Sequence, residues 1–222
     1  MDTLLYKNIA NKMEDLIKNG IWKENDKLPS ERELSQQYNV SRTVIREALK
    51  TLNEKQLIIN RPGKGNYVSI PTTDFLTSQF ESFADYNKIS MQDLVDAREE
   101  LEIIIGKRAV KNISRKQLQE ITAIYDEMNN SLNDNDRFNS LDYSFHLKLA
   151  ECSGNKALQM IFSSLYSITG NRNHSFIRYN YQTCKNSQFE HMAILNALKS
   201  RSPRNMANAI HSHMQCIKEH II

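Results

Sequence analysis

The sequence predicts a mainly α-helical chain in two parts: three helices closed by a two-stranded hairpin over residues 1–71, then, past a linker at 72–89, an all-helical bundle of about six helices over 90–222. Three observations predict it. Only 6 Gly and 4 Pro punctuate 222 residues, too few turn formers for a many-stranded sheet. Apolar residues recur at spacings of three and four along most of the chain, the period of an amphipathic helix. Between Leu57 and Ile70 that rhythm breaks into two short apolar runs around Arg61-Pro62-Gly63-Lys64-Gly65, where the glycines permit a tight turn.

The elements follow in order. Ile9, Met13, Leu16 and Ile17 place an apolar stripe on a first helix over 4–19, and Gly20 stops it. Ser30 with Glu33 three residues later forms a capping box that opens a second helix, ending near Tyr38. Asn39-Val40 turns the chain, and Ser41 caps a third helix whose buried face is Val44, Ala48, Leu49 and Leu52. Its polar face is Arg42, Thr43, Arg46 and Lys50. Pro71 and the small polar residues after it mark the boundary. Beyond it, amphipathic segments recur near 90–110, 115–131, 138–153, 156–171, 185–199 and 203–220, with Asn130–Asn139 polar enough for a loop.

Charge is distributed unevenly. Residues 1–71 hold 12 Lys and Arg against 9 Asp and Glu, whereas the remainder holds 17 against 17, so the whole net charge of +3 is N-terminal. Two short helices joined by a tight turn, the second beginning Ser-Arg-Thr, form a helix-turn-helix whose second helix enters the major groove N-terminus first. Arg42 and Arg46 then face double-stranded DNA together, and the arginine fork suits guanine O6 and N7. Ser41, Thr43 and the amides of that first turn can bond phosphates.

The run LPSERELSQQYNVSRTVIREALKTLNEKQLIINRPGKGNYVS resembles the winged helix-turn-helix of the GntR superfamily of bacterial transcription regulators. The resemblance implies that Arg32 at the start of the second helix, Arg42 and Arg46 on the third, and Lys64 with Gly65 at the wing tip meet the operator. Where that family often carries Gly after the recognition helix, this chain has Gln56.

All six histidines lie beyond residue 140. Asp142 and His146 stand one helical turn apart on one face. His191 opens the apolar pattern of Ile194, Leu195 and Leu198, and His213 lies among Ala209, Ile210 and Ile217, so both face the core, where an unpartnered ring is costly. One carboxylate and three imidazoles suit a divalent ion such as Zn, Ni, Mn or Fe. His211 should point elsewhere, and His174 and His220 have no clear partner. Cys152, Cys184 and Cys216 form no CxxC pair and are read as free thiols.

Asp142-x-x-Phe145-His146, Ser153-Gly154-Asn155, His191-x-x-Ile194-Leu195 and Ser212-His213 are similar to the pattern of the FCD domain in its metal-binding members. That resemblance implies that Asp142, His146, His191 and His213 hold the metal, with open positions for water or a small carboxylate effector. It also implies that Arg98 and Asn155 reach the effector cavity.

The expectation is therefore a homodimeric, cytoplasmic DNA-binding regulator, by family habit a repressor, that reads a palindromic operator and senses a small organic acid through a bound metal. Neither a membrane-spanning run nor a leader is visible in the sequence. Three alternatives stay open: a metal-dependent hydrolase fused to a DNA-binding module, a regulator for which the metal itself is the signal, and a purely structural ion. A separate general base beside the ligands is not evident, which disfavours the hydrolase and makes an enzyme the lesser reading.

Overall fold

The structure is a computed structural model, and it describes residues 2–171 and 181–218. The chain divides into two compact units, Met1–Leu76 and Thr77–Ile222. His174 and His220 lie outside the described residues.

In the first unit, helix α1 (Asp2–Lys18) packs on α3 (Arg42–Glu54), with the short α2 (Glu31–Tyr38) against α3 as well. Each start signal is used as chemistry demands. Ser30 accepts from the Glu33 amide while the Glu33 carboxylate takes the Ser30 amide at 2.7 Å, and Ser41 accepts from the Val44 amide at 3.3 Å. Asn39 ends α2 in the left-handed region at φ 52°. Strands β1 (Ile58–Arg61) and β2 (Gly65–Val68) pair antiparallel with Ile58 opposite Val68 and Arg61 opposite Gly65. A further bridge from Lys27 to Tyr67 ties the hairpin to the loop before α2. Met13, Leu34, Ile45 and Leu52 are wholly buried and make this unit's core.

Most of the stretch expected as a linker, 72–89, is helix: α4 spans Thr73–Tyr86. Its Phe80 packs against Leu94, Leu165 and Ile168, so apolar spacing rather than linker composition decides its structure.

Six further helices follow: α5 (Met91–Asn112), α6 (Arg115–Asn130), α7 (Asn135–Cys152), α8 (Lys156–Asn171), α9 (Tyr181–Lys199) and α10 (Pro203–Lys218). Ser90 with Asp93 and Ser114 with Gln117 form capping boxes on α5 and α6. The polar stretch Asn130–Asn139 is a loop only in part, because Asp134 accepts from the Arg137 amide and starts α7 there. Helix α5 is central, touching α7, α8 and α10, while α9 lies against α6 and α10. The approach of α5 to α10 depends on Gly106: a methyl group there would meet Ile210 Cδ1 at 2.6 Å and Met206 Cγ at 2.7 Å. Phe138, Phe145, Phe162 and Ile105 fill the interior between these helices.

Candidate metal centre and nucleic-acid interface

On α3 the alternation of burial follows the helical period. Val44, Ile45, Ala48 and Leu49 are buried, while Arg42, Thr43, Arg46 and Lys50 are exposed. Arg32 on α2 and Ser41 before α3 are exposed too, so these polar groups form the solvent side of the two-helix motif. The Ser41 Oγ already accepts the Val44 amide, which leaves its O–H as a donor. At the hairpin tip Lys64 is exposed, and Gly63 and Gly65 take φ values of 72° and 104° that favour glycine. The Arg61 guanidinium, at the tip end of β1, stacks 4.4 Å above the Tyr67 ring. On this face sequence reasoning missed the pairing of the Arg46 guanidinium with Glu31. Fifteen residues separate the two, and no local spacing rule links them.

Gln56 occupies the left-handed region at φ 57°, where glycine would sit without cost. The amides of Gln56 and Leu57 bond back to Asn53 and Leu52 at 2.9 Å, so α3 ends in the geometry that the glycine-bearing version would adopt.

The second unit brings Asp142, His146, His191 and His213 together from α7, α9 and α10. All four are buried. One ring nitrogen from each histidine lies within 4.8 Å of the others. His146 Nε2 and His191 Nε2 are 3.2 Å apart, and His191 Nε2 is 3.1 Å from Asp142 Oδ1. Neighbouring donor atoms sharing an ion at about 2.1 Å are separated by roughly 3.0 to 3.4 Å in octahedral or tetrahedral arrangements; these two spacings lie in that range, while His146 Nε2 and Asp142 Oδ1 are 4.0 Å apart.

Side chains behind the cluster point the rings inward. The Nδ1–H of His146 donates to the Glu102 carboxylate, and that of His213 donates to Glu190 Oε2 at 2.9 Å. Each Nε2 is thereby left as the lone-pair nitrogen. His213 Nε2 is buried with no hydrogen-bond partner, an orphan that a cation would satisfy. Asp142 Oδ2 accepts the Tyr166 hydroxyl, which leaves Oδ1 toward the histidines.

The electrostatics agree with a ligand set. Burial pushes the Glu102 carboxyl up, but its contacts with His146 and then Arg98 overcome it and bring the group down to about 2. Asp142 is likewise held well below the usual carboxylate range, with His191, His146 and His213 outweighing burial. Burial dominates at His191, whose ring is pushed down to about 4 against the pull of Asp142. Anionic carboxylates and a neutral imidazole are the forms that bind metal. Burial also lifts the Cys152 thiol to about 11, so it offers no thiolate.

Arg98 is buried beside this cluster. Its Nε lies 3.6 Å from Glu102 Oε2, Nη1 is 3.4 Å from Thr169 Oγ1, and its guanidinium stacks 4.0 Å above the Tyr166 ring. Asn155 is engaged elsewhere: its side-chain oxygen accepts the amides of Ala157 and Leu158 at 3.0 and 3.2 Å and caps α8. His211, as expected, turns away from the cluster, to Glu99 at 2.5 Å. Glu102, Glu190 and Tyr166 were not singled out from the sequence. The spacing Leu94, Arg98, Glu102, Ile105, Ala109 puts Glu102 on the buried face of α5 and was the available signal; for Glu190 and Tyr166 there was none.

Comparison with known proteins gives two matches that together cover most of the chain. Residues 5–68 match the bacterial regulatory proteins of the gntR family, and residues 93–215 match the FCD domain. Among curated proteins, the Uxu operon regulator of Haemophilus influenzae is 27% identical over 218 residues, spanning 96% of this chain and 80% of that protein. The transcriptional repressor NanR of Cronobacter sakazakii is 29% identical over 218 residues, spanning 94% and 82%. Among solved structures, a Streptococcus agalactiae GntR protein shares the fold with a TM-score of 0.76 at 24% identity, covering 97% of this chain and 99% of that one. The Escherichia coli protein McbR/YncC does so with a TM-score of 0.55 at 19% identity, covering 97% and 95%.

Proposed function

The chain is a transcription regulator that belongs to the GntR family and carries an FCD domain, and from that membership we propose a homodimeric repressor whose second unit holds a divalent metal and a small organic acid. The observation that carries the sensing half is the convergence of Asp142, His146, His191 and His213 with an orphaned Nε2 among them. Bound there, an ion would offer remaining coordination positions to a carboxylate. Zn, Ni, Mn and Fe all accept imidazole with a carboxylate, and the donor set does not choose among them.

The surrounding residues divide the work. Glu102 and Glu190 fix the ring orientation of His146 and His213, and Tyr166 fixes that of Asp142. Arg98 brings a buried cation next to Glu102 and Tyr166, the charge an organic acid requires. Asn155 has no part in this proposal, since its oxygen serves α8.

In the first unit, Arg32, Arg42, Arg46 and Lys64, with Ser41, Thr43 and Gly65, form the surface proposed for DNA. Two such surfaces on a two-fold axis would read the half-sites of a palindrome. An effector that favours one arrangement of the dimer by about 1 to 3 kcal/mol shifts operator affinity about 5- to 150-fold.

Elemental analysis of the purified chain beside His146→Ala and His213→Ala tests the centre. Metal should be present in the parent and much reduced in both variants; equal content would remove the assignment. A thermal-shift screen of sugar acids, hydroxy acids and amino acids on metal-loaded protein then tests the effector class, because a ligand that binds only the folded state raises its stability. A response of DNA affinity to metal alone would make the ion the signal.

A further inference from the structure

The exposed Arg46 side chain on α3 is held side-on by one carboxylate. Its Nε–H donates to both oxygens of Glu31, at 3.1 and 3.2 Å, and its Nη2 donates to Oε2 at 2.9 Å. Glu31 is the first residue of α2, so the contact spans from the start of one helix to the second turn of the next. The side chains remain 66% and 35% exposed. Surface ion pairs contribute little to stability. Leu34, Ile45 and Leu49 already hold α2 and α3 in one core, so the fold does not require the pair.

The pair does fix the direction of a fork. Arginine carries five N–H donors on a planar group. Glu31 occupies the Nε and Nη2 edge, which leaves the two terminal nitrogens to present the opposite edge. Paired donors of that kind match guanine O6 and N7. A guanidinium already held in place loses less rotamer freedom when it docks. The carboxylate also repels any phosphate that approaches Arg46 without a base to reward it. The hydrogen bonds from Arg46 hold the Glu31 carboxyl below its usual range, so the repelling charge persists at neutral pH.

We propose that Glu31 is a specificity-determining residue of the DNA-reading face: it orients Arg46 toward a base and penalises sequence-independent phosphate contacts. This inference rests on the reading of Arg46 as a DNA contact.

The test uses the full chain and a duplex enriched by it from a random-sequence library, with a shuffled duplex of the same composition, at one fixed salt concentration. Affinities are measured for the parent, Glu31→Gln, Arg46→Ala and the double variant. Glu31→Gln should bind the shuffled duplex about 3- to 10-fold tighter and the enriched duplex no tighter, so discrimination falls, with the melting temperature unchanged. In the Arg46→Ala background the same substitution should leave discrimination where it was. Equal tightening on both duplexes in both backgrounds would mean that only a negative charge was removed, and would overturn the role of Glu31. If Arg46→Ala itself leaves the enriched duplex bound as before, the DNA contact fails, a result separable from the first.

Discussion

The Glu102 carboxylate accepts the Nδ1–H of His146 across 44 residues of sequence, with both side chains wholly buried. The bond selects the tautomer of His146 and so determines which nitrogen faces His191 and Asp142. His213 repeats the arrangement with Glu190, whereas His191 Nδ1 is buried with no hydrogen-bond partner. Two of the three rings are therefore oriented from behind, and His191 is positioned by its contacts within the cluster, including the tilted Phe145 ring at 4.9 Å.

From this comes a prediction for Glu102→Gln, which keeps the shape and removes the charge. Metal affinity should fall about 10- to 100-fold, the usual effect of losing an outer carboxylate. Competition against a chelator measures it, and retention equal to the parent would show that the carboxylate does not support the ring.

Acid should destabilise the metal-free protein in two steps. The His191 ring, ordinarily near 6.5, is held at about 4, so between those values the unfolded chain takes up a proton that the folded one does not. Stability is lost as pH falls through that window, on the order of 1 to 3 kcal/mol. Glu102, ordinarily near 4.5 and held at about 2, removes more below pH 4.5. Thermal melts from pH 7 to pH 4 follow the first step, and a His191→Gln variant should lose it; an unchanged profile in the variant would place the titration elsewhere.

Gly106→Ala should destabilise the second unit by roughly 1 to 3 kcal/mol, since the added carbon meets Ile210 and Met206, both fully buried. Because α5 carries Glu102 and α10 carries His213, metal retention should fall with stability. Chemical denaturation and metal content of the same preparation test both, and a variant as stable as the parent would mean that the two helices separate without cost.

Gln56→Gly should act in the opposite sense. A non-glycine residue at φ 57° carries strain that glycine relieves, for a gain of about 0.5 to 1 kcal/mol in the first unit. Denaturation of residues 1–76 within the full chain, followed through Trp22, reports it; a loss of stability would show that the Gln56 side chain contributes more than the strain removes.

Local features were legible because they depend on neighbours a few residues apart. The capping boxes at Ser30 and Ser90, the Ser41 cap and the buried stripe of α3 all follow from spacing that one helical turn reads. Asp142 and His146 were paired on the same ground. Segment 72–89 was misjudged because its polar composition hid the apolar positions, Phe80 and Ala84 on α4 and Ile89 after it, that give the segment a place to pack.

By itself the amino-acid order determined the helices with a clear apolar stripe or capping box, though not α4, and which faces carry charge or imidazole. Only the tertiary structure decided that Glu31 lies against Arg46, that Glu102 and Glu190 stand behind two histidines, and that Tyr166 holds Asp142. Helical periodicity specifies the direction of a side chain about its own axis. The partner it meets depends on how distant helices cross, and that is settled by close packing such as the contact of Gly106 with Met206 and Ile210.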